Sequence, residues 1–267
     1  MKKSNGYILY EDSVRVVIAT GFVRKSDNIK TGNMIQIWIL VKAENPVAAV
    51  ASGSDVLVCG DCPLRGWVCY VNTGQAPLSV WKCWLRGGYP MAGSYSGENA
   101  PPMAGSNNGE RFISSKIALR RLFTGRKARL GAYGDPTHIP LHIVKRIAIY
   151  ADTWTGYTHQ WRNPLLQGYR EFCMASVDTE EQVAEAEGMG WRRFRMIDEG
   201  EEPQAGEIEC PNYSHGVQCA DCSLCKGSSV KAKSIVIYAH GAKKKNFAKV
   251  RHNVSQSVNK NHYTVTV

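Results

Sequence analysis

The chain lacks the marks of several familiar classes. It has no GxxxxGK[ST] phosphate loop and no HExxH pair, which speaks against a helicase, nuclease or kinase of the usual kinds. No run of eighteen apolar residues occurs, so no membrane-crossing helix is expected. The opening MKKSNGYILYEDSVRVV has a lysine pair, but its apolar stretch is broken by Glu11 and Asp12. It makes a poor export signal, and the expected compartment is the cytoplasm. Acidic residues stop at Asp221, while nine Lys and Arg follow, so the tail supplies nearly all of the net charge of +10. A tail of that sign suits a polyanion, nucleic acid being the commonest, or is a solvated tail.

What the chain does have is cysteine, nine of them. In a reducing compartment, close CxxC spacing favours metal or redox chemistry over disulfides. Cys59, Cys62 and Cys69 lie within VLVCGDCPLRGWVCY at 56–70. Cys210, Cys219, Cys222 and Cys225 lie within CPNYSHGVQCADCSLC. Cys83 and Cys173 stand apart, and Cys173, in FCMASV, reads as a small buried hydrophobe.

Along the chain, β-prone pieces fill 1–25, 34–41 reads as a strand after a polar turn, and the apolar run ending at Cys59 reads as another. Lys30-Thr31-Gly32 is a polar turn that could also meet an anion. The Gly-, Ser- and Pro-rich segment 86–110 carries PMAGS twice and reads as a loop, a lid or an insert. From 111 the pattern alternates. Helices are expected at 113–123, 139–151 and 179–188, the last capped by Thr179. Strands are expected at 128–133, 155–158, 172–177, 191–197 and 234–239, with a short connection at 163–169. Such alternation predicts an α/β fold with a parallel sheet, and its short elements suit a compact or partial β/α barrel-like core. The expected organisation is 1–85 with N-terminal strands and the first cysteine set, 86–110 as the loop, 111–241 as the β/α core with the second set, and 242–267 as a basic tail.

In such a fold the strand ends open on one face, where active sites lie. Cys59, Asp135, His159, Asp178, Asp198 and His240 each stand at or just after a predicted strand. Asp135, His159 and Asp178 are the candidate catalytic residues, although Asp178 could also serve as a helix cap. His138 and His142 are spaced i, i+4 on a predicted helix, which can bind a metal, but the Glu and third ligand of a zincin are missing.

The downstream cysteines offer four thiolates, enough for a closed zinc site or a 4Fe–4S cluster. The upstream set offers three, which would leave one iron of a 4Fe–4S cluster open to S-adenosylmethionine; a zinc knuckle is the plain alternative.

The segments NIKTG, CGDCPLRGWVCY, RLGAYGDP, GYTHQWR and MASVD, then CxxCxxC with IVIYAHG, resemble in this order an uncharacterised phage and plasmid family, the phage gene-product-eighty-eight type, over residues 28–241. Members are sometimes regarded as radical-SAM-like. The resemblance implies that Cys59, Cys62, Cys69, Asp135, His159, Asp178 and the late cysteines are the family's polar positions. His159 stands where the family has Arg, and the usual Cx3Cx2C spacing is absent. The leading expectation is therefore a mobile-element-encoded iron–sulfur metalloprotein, radical-SAM-like if an enzyme. The alternative is a non-catalytic, zinc-stabilised nucleic-acid-binding protein. There the tail and the basic stretch 111–129 would contact phosphates, and Trp154, Tyr157 and Trp161 would stack on bases.

Overall fold

A computed structural model describes residues 4–26, 28–66, 69–92, 110–113, 115–228 and 230–239. The chain starts as a meander because Asp12 builds its own turn. Its carboxylate accepts from the N–H of Val14 at 2.8 Å and of Arg15 at 2.7 Å. This folds β1 (Gly6–Glu11) back antiparallel on β2 (Arg15–Thr20), which pairs antiparallel with β3 (Ile35–Val41). All of β3 is buried, as suits a strand covered on both faces.

From β3 onward the pairing is parallel. β4 (Arg111–Phe112) adds antiparallel to β1. β5 (Lys127–Tyr133), β6 (Thr153–Thr158), β7 (Met174–Val177), β8 (Arg193–Ile197), β9 (Glu207–Glu209) and β10 (Ser234–Tyr238) complete a ten-stranded sheet. Its order is β4-β1-β2-β3-β5-β6-β7-β8-β10-β9. From β3 to β8 the parallel strands follow one another in sequence, with no reversal of order. This is the winding of a barrel wall rather than of a doubly wound sheet. The α/β expectation holds, but the barrel does not close: the sheet is open, with β4 and β9 at its edges. Closure needs free edges that meet. Here the meander occupies the free side of β3, and β9 covers β10.

The helices start at side-chain caps. Asn45 caps α1 (Pro46–Ser52), Ser115 caps α4 (Lys116–Phe123) and Thr179 caps α6 (Glu180–Gly188), each accepting from N–H groups of the first turn. α3 (Ala76–Leu85) and α5 (Leu141–Tyr150) lack such caps. Ile143, Val144 and Ile147 of α5 and Val183 and Ala186 of α6 join Ala128, Leu130, Ala175 and Val177 in the main core, on one face of the wall.

One expectation fails locally. Residues 56–59 form the short helix α2 (Val56–Cys59), not a strand. Only Val58 of the run is buried, and both edges of β3 are already paired, so the run cannot join the sheet beside β3. The connection at 163–169 is a 3-10 helix, Pro164–Glu171, started by the Asn163 side chain. Residues 1–85 and 111–239 contribute strands to one sheet. Most of the 86–110 segment, with the second PMAGS, lies outside the described residues, as does 240–267 with His240 and the lysine-rich part of the tail.

Candidate metal centre

The upstream cysteines reach the wall through α2. The Asp135 N–H donates to the Val58 carbonyl at 2.7 Å, fixing α2 against the end of β5. Gly134 permits this approach: at φ 85° its missing Cβ would stand 2.7 Å from the Ile39 side chain and 2.9 Å from the Ile39 carbonyl. Arg65 then ties the turn that follows. Its guanidinium donates to Asp55 Oδ1 at 3.1 and 2.9 Å, to the Gly53 carbonyl at 2.9 Å and to the Gly60 carbonyl at 3.3 Å. Burial pushes the Cys59 thiol far above its ordinary range, and the neighbouring Cys62 and Cys69 add to that. The three thiols therefore share one neighbourhood, although Cys59 sits on a helix and not at a strand end.

Asp135, His159, Asp178 and Asp198 do follow β5, β6, β7 and β8. The Asp135 carboxylate is fully engaged. It accepts from Thr137 N–H at 3.0 Å, Thr137 hydroxyl at 2.8 Å, Thr158 hydroxyl at 2.8 and 2.9 Å and His159 N–H at 3.0 Å. It thus sets where His159 stands. His159 Nε2 faces Asp178 Oδ2 at 3.4 Å. Burial opposes a charge on this imidazole, but Cys62 and Asp178 beside it prevail and hold its pKa well above the usual value. The cap of α6 is Thr179, which leaves the Asp178 carboxylate to His159. His138 and His142 do not share a helix. His138 ends a 3-10 turn and meets Arg15 at 2.7 Å, while His142, on α5, packs on Phe112. Pro140 separates the two, so the i, i+4 spacing carries no metal site.

The downstream set lies lower on the wall. The N–H groups of Cys219 and Ala220, opening α7 (Cys219–Cys222), donate to the Lys30 and Thr31 carbonyls at 3.0 and 3.1 Å. The Lys30-Thr31-Gly32 turn is therefore a dock for the second cysteine segment. β7 starts only at Met174, and the Cys225 carbonyl accepts the Gly156 N–H of β6 at 3.1 Å. All four cysteines line one cleft of about 320 Å³, solvent-open space included, with Thr155, Tyr157 and Ile235 in its wall. Burial pushes Cys225 up to about 12, against a hydrogen bond with Tyr157. Buried thiols of this kind are neutral without a cation and release protons when a metal binds.

Register and packing place members of both sets on one face. Arg129 pairs with Thr155, Tyr157 with Met174, Ser176 with Phe194, and Phe194 with Ile235. Neighbours in register share a face. Cys62 packs here with Leu64, Met196 and Ile237, and Cys210 and Cys225 pack with Met174, Tyr157 and Ile235. All nine cysteines are free thiols. Among the described residues no three His, Cys, Asp or Glu side chains stand in a geometry that could hold a metal ion. The donor chemistry nevertheless fits one: four thiols around one cleft, and three thiols beside the Tyr133 hydroxyl and Gln160 Nε2, both buried without a hydrogen-bond partner.

Two elements of the site carry no signal in sequence. Arg192 is buried in β-like surroundings yet donates to the carbonyls of Leu224, Gly227, Ala232 and Lys233 at 2.9, 2.8, 2.9 and 2.6 Å, fixing the loop after Cys225. Arg65 does the same upstream. The aromatics expected to stack on bases are occupied instead. Trp161 is 1% exposed and bonds to Ser176, Trp154 bonds to Phe172, and Tyr157 packs on Phe194. In the basic stretch Arg111 pairs with Glu11 at 2.7 Å and Lys127 with Asp221 at 3.1 Å. Among the described residues no helix is long and apolar enough to cross a membrane. Against known families, curated proteins and solved structures the chain finds no match.

Proposed function

We propose that the protein is an iron–sulfur enzyme of a phage or plasmid, acting by radical chemistry with S-adenosylmethionine in a reducing cytoplasm. The observation that carries this reading is that both cysteine sets lie on one face of a sequentially wound parallel wall. The upstream set stands where the strands end, the usual place for chemistry in β/α folds. On this reading the wall is a partial barrel and its cysteine-lined face is the inside.

Cys59, Cys62 and Cys69 would hold a 4Fe–4S cluster, and Cys210, Cys219, Cys222 and Cys225 a second cluster or a structural zinc. Three protein ligands would leave one iron of such a cluster open to S-adenosylmethionine, and reductive cleavage of that molecule is the chemistry the cluster would supply. The chain itself contributes placement and proton control. Arg65 fixes the turn between Cys59 and Cys62. Asp135 fixes the His159 backbone, and Asp178 keeps a proton on the imidazole at the rim. The apolar lining of Leu64, Met196 and Ile237 keeps water from the same face.

The nucleic-acid reading loses its aromatic platform and retains the basic tail. The test of the enzyme reading is S-adenosylmethionine cleavage by anaerobic protein with a strong reductant. Cleavage that disappears in Cys62→Ala supports it; no cleavage by iron-loaded wild type sinks it.

A further inference from the structure

The wall is well supplied with arginine, and nearly every one is spoken for. Arg193 pairs with Glu187 at 2.8 Å, Arg195 with Glu207 at 2.6 Å, and Arg192 with four carbonyls. Arg129 differs. It sits in the middle of β5, level with Gln36 of β3 and Thr155 of β6. It therefore points to the face that carries both cysteine sets. It is half-buried, and among the described residues it makes no hydrogen bond and no ion pair. Its charge is felt by Tyr70, beside Cys69 and Cys62, and by Tyr157 and Cys219 of the downstream set. It thus stands between the two sets.

Further along the same strand is a buried donor without a partner. Tyr133 is level with Trp38, two residues beyond Gln36 on β3, and so shares the face of Arg129. It is 4% exposed, its hydroxyl has no hydrogen-bond partner, and it lies near Cys59, Asp55, Cys69 and Arg65. The buried Tyr133 hydroxyl without an acceptor is costly unless something occupies the face, and the Arg129 guanidinium, open to solvent on that face, has no anion of the chain to hold. A planar guanidinium is suited to the two oxygens of a carboxylate or phosphate.

We propose that Arg129 and Tyr133 form an oxyanion-recognition site between the two cysteine sets, and that the substrate bound on this face carries a carboxylate or phosphate. The word substrate rests on the enzyme reading above; the anion site does not.

The test uses full-length protein at fixed ionic strength, with inorganic phosphate and acetate as probes, followed by 31P line broadening and by saturation transfer to the acetate methyl. Wild type is expected to bind at least one of the two, and which one identifies the group. Arg129→Gln should weaken binding about tenfold or more, the loss of a charged hydrogen-bond pair. Tyr133→Phe should weaken it several-fold while leaving the melting temperature unchanged or higher, since it removes an unpaired hydroxyl. Arg120→Gln, on the exposed face of α4, should change nothing. Wild type that binds neither anion, Arg129→Gln that binds like wild type, or Arg120→Gln that loses as much would each overturn the proposal. Iron is assayed on the same samples. Wild type that takes up no iron on anaerobic reconstitution yet still binds the anion through Arg129 would remove the enzyme reading and leave this site standing.

Discussion

His159 Nε2 and Asp178 Oδ2 face each other at 3.4 Å across the ends of β6 and β7, nearly buried, with Cys62 beside the same ring. The pair exists because two unrelated local devices converge. Asp135 holds the His159 backbone, and Thr179 takes the cap of α6, so that Asp178 can face inward. The pair joins the upstream cysteines to the wall.

In metal-free protein this pair gives stability a defined pH dependence. The folded imidazole pKa is raised above 6.5. The contribution is therefore fully present below the unfolded value and is lost as pH rises through the folded one. Asp178→Asn should destabilise by on the order of 3 kcal/mol at pH 6, and the difference from wild type should shrink at high pH. Urea unfolding at several pH values measures this; a difference independent of pH would contradict it.

Arg192 is the second lever. Arg192→Met strands four carbonyls that the guanidinium now satisfies, and should cost on the order of 4 kcal/mol in denaturant unfolding. The same change should loosen the downstream cysteine loop, read as faster amide exchange at 224–233. A cost within 1 kcal/mol would show that the four bonds do not hold the loop.

Gly227 tests the close approach of that loop to the chain before β7. It has φ 87°, and a Cβ there would strike the Glu171 carbonyl. Gly227→Ala should cost about 3 kcal/mol, measured by thermal unfolding, whereas Gly216→Ala, with open space around it, should lose only the cost of its left-handed conformation, about 1 kcal/mol. Equal losses would remove the packing argument.

The core β5 to β8 was legible because each strand is short, β-rich and followed by an Asp or His, and because α5 carries an apolar stripe and α6 a cap. Thr179 was readable as a cap from sequence for that reason. The 56–59 run misled because four apolar residues fit a strand or a helix turn equally, and only the occupied edges of β3 decide. The roles of Arg65 and Arg192 were invisible: an arginine aimed at backbone carbonyls far along the chain leaves no local pattern. The same holds for Lys30-Thr31-Gly32, which docks a segment nearly two hundred residues later through its carbonyls, groups that every residue has. Trp154 and Trp161 fit base stacking or core packing in sequence, and the structure packs them in the core.

The central claim is that the upstream cysteines hold an iron–sulfur cluster. The most direct measurement is metal and acid-labile sulfide analysis with a visible spectrum on protein purified without oxygen, beside the Cys59→Ala and Cys62→Ala variants. The account predicts brown wild-type protein containing iron and sulfide, with both reduced in the two variants. Colourless protein containing only zinc, or iron and absorbance unchanged in both variants, would contradict it.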